Sequence, residues 1–183
     1  MKFKKAIKEF LIIFIVAAVI GLSINFVNPK GIPLIMDASR YSAENSENIK
    51  KELTDSAKIP KHRKNKEGFI EPQNIKLDVA KLLFDRGALF IDARPAADYS
   101  AGHVNTSINL PYEDFHKKSA EERVNALKDY DKEKPIVCYC NGGDCEMSID
   151  LAYDIARAGF NNLYIYLGGY KEWETAGHPV ERK

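Results

Sequence analysis

Between Phe10 and Val27 the chain reads FLIIFIVAAVIGLSINFV, with no charged residue at all. A helix of that length rises roughly 27 Å, close to the thickness of a bilayer's hydrocarbon core. Leu, Ile, Phe and Val occur all round it rather than along one stripe, which suits lipid and not a half-buried surface helix. Lys2, Lys4, Lys5 and Lys8 stand in front of it, and lysines that precede a first apolar segment stay on the cytoplasmic side. Residues 1–9 therefore read as a basic cytoplasmic N-terminus and residues 10–27 as a single-pass transmembrane signal-anchor that ends before Asn28-Pro29-Lys30-Gly31. Everything after Val27 is then expected to be extracytoplasmic, in the periplasm if the source is a Gram-negative bacterium. A cleaved signal peptide is the competing reading, with Gly21-Leu22-Ser23 as a weak site and no A-x-A pattern.

The rest of the chain has ordinary globular chemistry. With 45% apolar and 29% charged residues, the chain supports a packed core. Lys plus Arg number 27 against 26 for Asp plus Glu, so there is no concentrated basic balance and no expected nucleic-acid partner. Three cysteines are too few for a disulfide-built scaffold, and the odd count leaves at least one thiol unpaired within the chain. Residues 28–69 read as a linker. Within them, 40–67 is rich in charge and poor in large apolar residues, with a short helix expected around residues 48–58. Its basic cluster from Lys61 to Lys66 is read as solvated, with contact to anionic headgroups as the alternative.

From Phe69 onward, helix and strand signals alternate. Residues 74–86 space Leu77, Ala80, Leu83 and Phe84 as a helix, with Gly87 as its stop. Residues 88–92 form a short apolar strand, 108–110 a second extended piece closed by Pro111, and 119–129 a polar helix. Residues 135–140 are a continuous apolar run of the kind found in the buried middle of a parallel sheet. Residues 148–158 repeat apolar side chains at Leu151, Ala152, Ile155 and Ala156 and stop at Gly159, with Ser148 as the expected N-cap. Residues 163–167 are another strand, turned by Gly168-Gly169 into a last helix containing Trp173. Such alternation predicts an α/β domain with a mostly parallel sheet and helices on both faces.

The chemistry gathers where the 135–140 strand meets the next helix, since ligands in open α/β sheets collect at the carboxyl ends of strands. The connection reads Cys140-Asn141-Gly142-Gly143-Asp144-Cys145-Glu146-Met147. Its two glycines allow successive amides to point inward as an anion-binding nest. That nest and the helix dipole are expected to favour a thiolate at Cys140, the nucleophilic and sulfur-carrying form.

Three motifs then carry a resemblance. Phe90-Ile91-Asp92-Ala93-Arg94, with Tyr99-Ser100-Ala101-Gly102-His103-Val104 and Ile108-Asn109-Leu110-Pro111, is similar to the first signature of the rhodanese-like family of sulfurtransferases. Val137-Cys138-Tyr139-Cys140 sits where that family presents its active-site cysteine. Leu167-Gly168-Gly169-Tyr170-Lys171-Glu172-Trp173, with Gly177-His178-Pro179-Val180, is similar to its closing signature. Residues 70–183 thus resemble one rhodanese-like domain.

The resemblance implies that Cys140 takes a sulfane sulfur as a persulfide from a small donor and passes it to a thiol acceptor, without cofactor or metal. It implies that the amides of Asn141, Gly142, Gly143, Asp144, Cys145 and Glu146 cradle the outer sulfur. Arg94 resembles the family's Asp-x-Arg arginine, lining the pocket wall and expected to pair with Asp98. His103 is expected to be a structural hydrogen-bonding residue rather than a base.

Two departures from the family pattern bear on function. The loop carries Asp144 and Glu146 and no basic residue, which argues against the dianion thiosulfate as natural donor. Phosphatases of this fold require Cys-x5-Arg, and the corresponding position here is Glu146, which repels phosphate. The second departure is Cys145. It can join Cys140 as a disulfide, resolve a persulfide on it, or merely decorate the loop. Cys138, Trp173, Tyr164 and Tyr166 are expected in the core, and Gly168-Gly169 as a turn rather than a phosphate loop. The reading is a membrane-tethered, extracytoplasmic rhodanese-like sulfurtransferase with Cys140 as carrier. The alternatives are a non-catalytic partner-binding module and a thiol-disulfide redox protein using Cys140 and Cys145.

Overall fold

A computed structural model of the chain describes residues 2–28, 42–55, 64–143 and 145–182. It comprises two units, Met1–Asp37 and Ala38–Lys183.

Among the described residues the first unit holds one helix, α1 (Lys2–Val27), whose Phe10, Ile13, Phe14 and Val19 side chains are exposed. The stretch Phe3–Val27 is long and apolar enough to cross a membrane. The Ser23 hydroxyl donates back to the Val19 carbonyl at 2.7 Å, so this polar group is satisfied within the helix.

The second unit is built on a five-stranded, all-parallel sheet: β1 (Gln73–Ile75), β2 (Leu89–Asp92), β4 (Ile108–Asn109), β5 (Ile136–Tyr139) and β6 (Leu163–Tyr166), in the order β1-β6-β5-β2-β4. Side chains along its central strands alternate between two cores. Ile136, Cys138 and Cys140 face one, with Leu163 and Ile165 beside them; Val137, Tyr139, Tyr164 and Tyr166 face the other. The first core is closed by α5 (Tyr112–His116) through Phe115 and by α7 (Met147–Arg157) through Ile149, Leu151, Ala152 and Ile155. The second is closed by α3 (Leu77–Asp85) through Val79 and Leu83 and by α8 (Gly169–Thr175) through Trp173. Both faces being covered explains the unbroken apolar run that β5 shows in the sequence. α6 (Ala120–Ala126) starts with a capping box: the Ser119 hydroxyl accepts from the Glu122 amide and the Glu122 carboxylate accepts from the Ser119 amide at 2.7 Å.

Several elements differ from the sequence expectations. Residues 74–75 belong to β1, not to the following helix, because Asn74 and Ile75 pair with Ile165 and Tyr166 across the sheet. α4 (Ala96–Ala101), α5 and the antiparallel pair of β3 (His103–Val104) with β7 (Val180–Glu181) carry too few residues for a periodic signal. The short helix expected around residues 48–58 is α2 (Ser46–Asp55); residues 56–58, like Lys61, His62 and Arg63 of the basic cluster, lie outside the described residues. α2 buries Ile49 and Leu53 in the second core. The Ser46 hydroxyl accepts from the Lys76 amide at 3.0 Å and Arg86 donates to the Leu53 carbonyl at 2.7 Å, so this part of the stretch read as linker is packed on the domain.

Candidate active site

Cys140 is the first residue beyond β5 and is only 2% exposed. Its carbonyl accepts from the Tyr170 amide at 2.7 Å and the Asn141 carbonyl from the Lys171 amide at 3.2 Å, so the base of the loop hangs from the start of α8. The two backbones touch directly there. A Cβ on Gly142 would lie 2.2 Å from the Gly168 carbonyl oxygen, and one on Gly169 would lie 2.4 Å from the Gly142 nitrogen and 2.6 Å from the Cys140 oxygen. Both glycines also have positive φ, +106° and +63°, which other residues adopt only under strain. Gly168-Gly169 is a turn, as expected, but its second task, seating the cysteine loop, has no local sequence signal.

The loop returns to Cys140 through Cys145: a disulfide joins the two, with Cα atoms 6.5 Å apart. The alternative in which Cys145 merely decorates the loop is thereby set aside. α7 then begins at Met147 with Glu146 at the cap position, so Ser148 is not the N-cap. Ser148 lies in the first turn, 1% exposed, with a hydroxyl that has no hydrogen-bond partner among the described residues. Helix entry straight after the disulfide-held Cys145 puts the start before Ser148. Asp144 lies outside the described residues, and Glu146 is exposed. Asn141, Gly142, Gly143 and Cys145 are thus brought into one turn of chain above Cys140.

Arg94 is placed beside the loop, but its partner is Asp92 rather than Asp98. The Arg94 guanidinium donates to the Asp92 carboxylate at 3.0, 3.1 and 2.6 Å and to the Gly102 carbonyl at 2.6 Å. Arg94 is 4% exposed and Asp92 fully buried, whereas Asp98 lies on the exposed first turn of α4. The alternation of β2 sends Asp92 inward, and the arginine follows it. Burial alone would lower the guanidinium's pKa; the hydrogen bonds and charge of Asp92 outweigh that and raise it. Tyr170 lies under the guanidinium at 4.4 Å, a cation–π contact.

Arg94, Asn141, Met147, Tyr170, Glu174 and Arg182 are among the residues lining a cavity of about 340 Å³ at the loop's edge. Sequence reasoning missed the last four. Tyr170 stood within the closing signature, and Arg182 arrives only through the pairing of β7 with β3. Both cations are matched: Arg182 donates to Glu174 at 2.6 Å, as Tyr170 does at 2.8 Å.

The remaining expectations concern buried groups. Cys138 is fully buried, and burial drives its thiol pKa far above the ordinary range, which leaves it inert. His103 is 1% exposed, stacked on the Tyr99 ring at 3.7 Å, with Nδ1–H donating to the Tyr99 carbonyl at 2.8 Å. That is the structural role expected of it. Trp173 is buried, with its indole N–H on the Pro179 carbonyl at 2.9 Å.

Comparison with known proteins agrees with this arrangement. The sequence profile of the Rhodanese-like domain matches residues 76–176. The tRNA uridine(34) hydroxylase of Hamiltonella defensa is 37% identical over 97 residues, covering 52% of this chain and 26% of that protein. That of Yersinia pestis is 37% identical over 109 residues, covering 56% and 29%. An HTH-type transcriptional regulator of Mycobacterium tuberculosis is 34% identical over 91 residues, covering 50% and 36%. The matches to the two hydroxylases therefore span little more than a quarter of their length. Among solved structures, a Bacillus halodurans protein superposes with a TM-score of 0.50 at 25% identity, covering 62% of this chain and 77% of that one. EanB in complex with ergothioneine shares the fold, with a TM-score of 0.53 at 15% identity and coverage of 60% and 32%. Through a domain whose cysteine loop is clamped between β5, α7 and the Gly168-Gly169 turn, the chain belongs to the rhodanese-like family.

Proposed function

We propose that the protein is a membrane-tethered, extracytoplasmic sulfurtransferase that carries a sulfane sulfur as a persulfide on reduced Cys140. The observation that carries the reading is the placement of Cys140 at the carboxyl end of β5, under a backbone loop that leads into α7. Loop amides and the helix N-terminus favour an anionic sulfur there. The other cysteine on the sheet, Cys138, is sealed in the core.

The donor follows from charge. Glu146, with Asp144, makes the loop acidic, while Arg94 and Arg182 are committed to Asp92 and Glu174. A dianion such as thiosulfate is disfavoured, and a donor with less charge at its sulfur end is preferred. The test uses the full-length Cys145→Ser chain in detergent, which cannot form the disulfide, so that sulfur on Cys140 stays there to be weighed. Glutathione persulfide is expected to add one sulfur to the Cys140 peptide, and thiosulfate to add it more slowly, most visibly at low salt. An unmodified peptide with both donors would overturn the sulfurtransferase reading and favour the partner-binding module.

The tether rests on the apolar stretch of α1 and the lysines that precede that stretch. The full-length protein is expected in the membrane fraction, resistant to carbonate extraction. Protease added outside the cytoplasmic membrane should digest the domain beyond Val27. Recovery of a soluble form beginning near Ile24 would show a cleaved signal peptide instead.

A further inference from the structure

We propose that Cys145 is the resolving thiol of the Cys140 persulfide, so that the bound sulfur leaves as hydrosulfide and the chain is left as the Cys140–Cys145 disulfide. This rests on the reading of Cys140 as a persulfide carrier and adds a reductive fate for the sulfur. In the step, the Cys145 thiolate attacks the Cys140 Sγ. The bond between that Sγ and the outer sulfur breaks, and its electron pair and the persulfide proton depart as HS⁻. The sulfane sulfur is reduced to sulfide as the two cysteines are oxidised to the disulfide, and an external dithiol then restores both thiols while becoming a disulfide itself.

Three observations support it. The Cys145 sulfur reaches the Cys140 sulfur with β5, α7 and the clamp on the Gly168-Gly169 turn all in place, so attack needs no unfolding of the domain. In this disulfide-bonded form Cys140 is 2% exposed, and the thiol placed to reach its sulfur is the one within the same loop. Cys145 is only half-buried where Cys140 is buried, so an incoming dithiol is expected to attack the disulfide at Cys145. Attack there leaves Cys140 as the departing thiolate, ready to be loaded again.

The full-length chain in detergent is reduced, freed of reductant without oxygen, and given one equivalent of glutathione persulfide, with Cys140→Ser as the blank for spontaneous decay. The parent is expected to release one equivalent of hydrosulfide and lose two hydrogens by mass. Cys145→Ser is expected to keep the added sulfur and release at least about tenfold less hydrosulfide. If the parent holds the persulfide as firmly as Cys145→Ser, or forms the disulfide equally without donor, the resolving step is overturned while the carrier reading stands. If Cys145→Ser takes up no sulfur, both fall.

Discussion

Replacing Cys140 with Ser is expected to reduce sulfur transfer to the uncatalysed background, measured as hydrosulfide formed from glutathione persulfide with dithiothreitol as final acceptor. A hydroxyl cannot hold a sulfane sulfur under these conditions, and neither remaining thiol stands at the carboxyl end of β5. Cys138 faces the first core two residues earlier, with its pKa pushed far up by burial. Cys145 lies at the other end of the loop, outside the strand-end position. Cys138→Ser is the matched control: burying a hydroxyl on that apolar face costs about 1–3 kcal/mol of stability, while transfer per folded molecule persists. Equal turnover by Cys140→Ser and the parent would end the persulfide reading, whatever the fold.

The second large effect concerns the wall of the site. Asp92→Ala is expected to destabilise the domain by about 3–5 kcal/mol, because it leaves a buried guanidinium with the Gly102 carbonyl and the Tyr170 ring but without its counter-charge. Asp98→Ala, on an exposed helical turn, is expected to change stability by less than about 0.5 kcal/mol. Thermal melts of both variants in the same detergent decide the matter. Equal losses would mean that Asp98 carries the pairing after all. Asp92→Ala should also weaken transfer, since the same arginine lies over Tyr170 at the cavity beside Asn141.

Much of the domain is legible in the residues themselves. β5 and β6 are unbroken apolar runs because both of their faces are covered, and α3 and α7 announce themselves by apolar spacing and by the glycines that end them. The apolar stretch of α1 and the lysines before it are equally plain. Cys140 could be singled out because strand, glycines and helix follow one another within a few residues, and such local order is written in sequence.

The tertiary structure decided what depends on residues distant in the chain. β1 and the β3–β7 pair are two or three residues long, and only hydrogen bonds from another strand make them strands. Arg94 chose Asp92 over Asp98 because the pleat of β2 turns that carboxylate into the interior, where a charge must be paired, while helix α4 turns the other toward water. Arg182 joins the site only once the C-terminus has paired with β3. The need for glycine at 142 and 169 arises where two backbones press together, a contact between segments more than twenty residues apart. Sequence alone left the partnership of Cys140 and Cys145 open, because a spacing of five residues sets how far apart two thiols can be but not whether the loop folds back to join them.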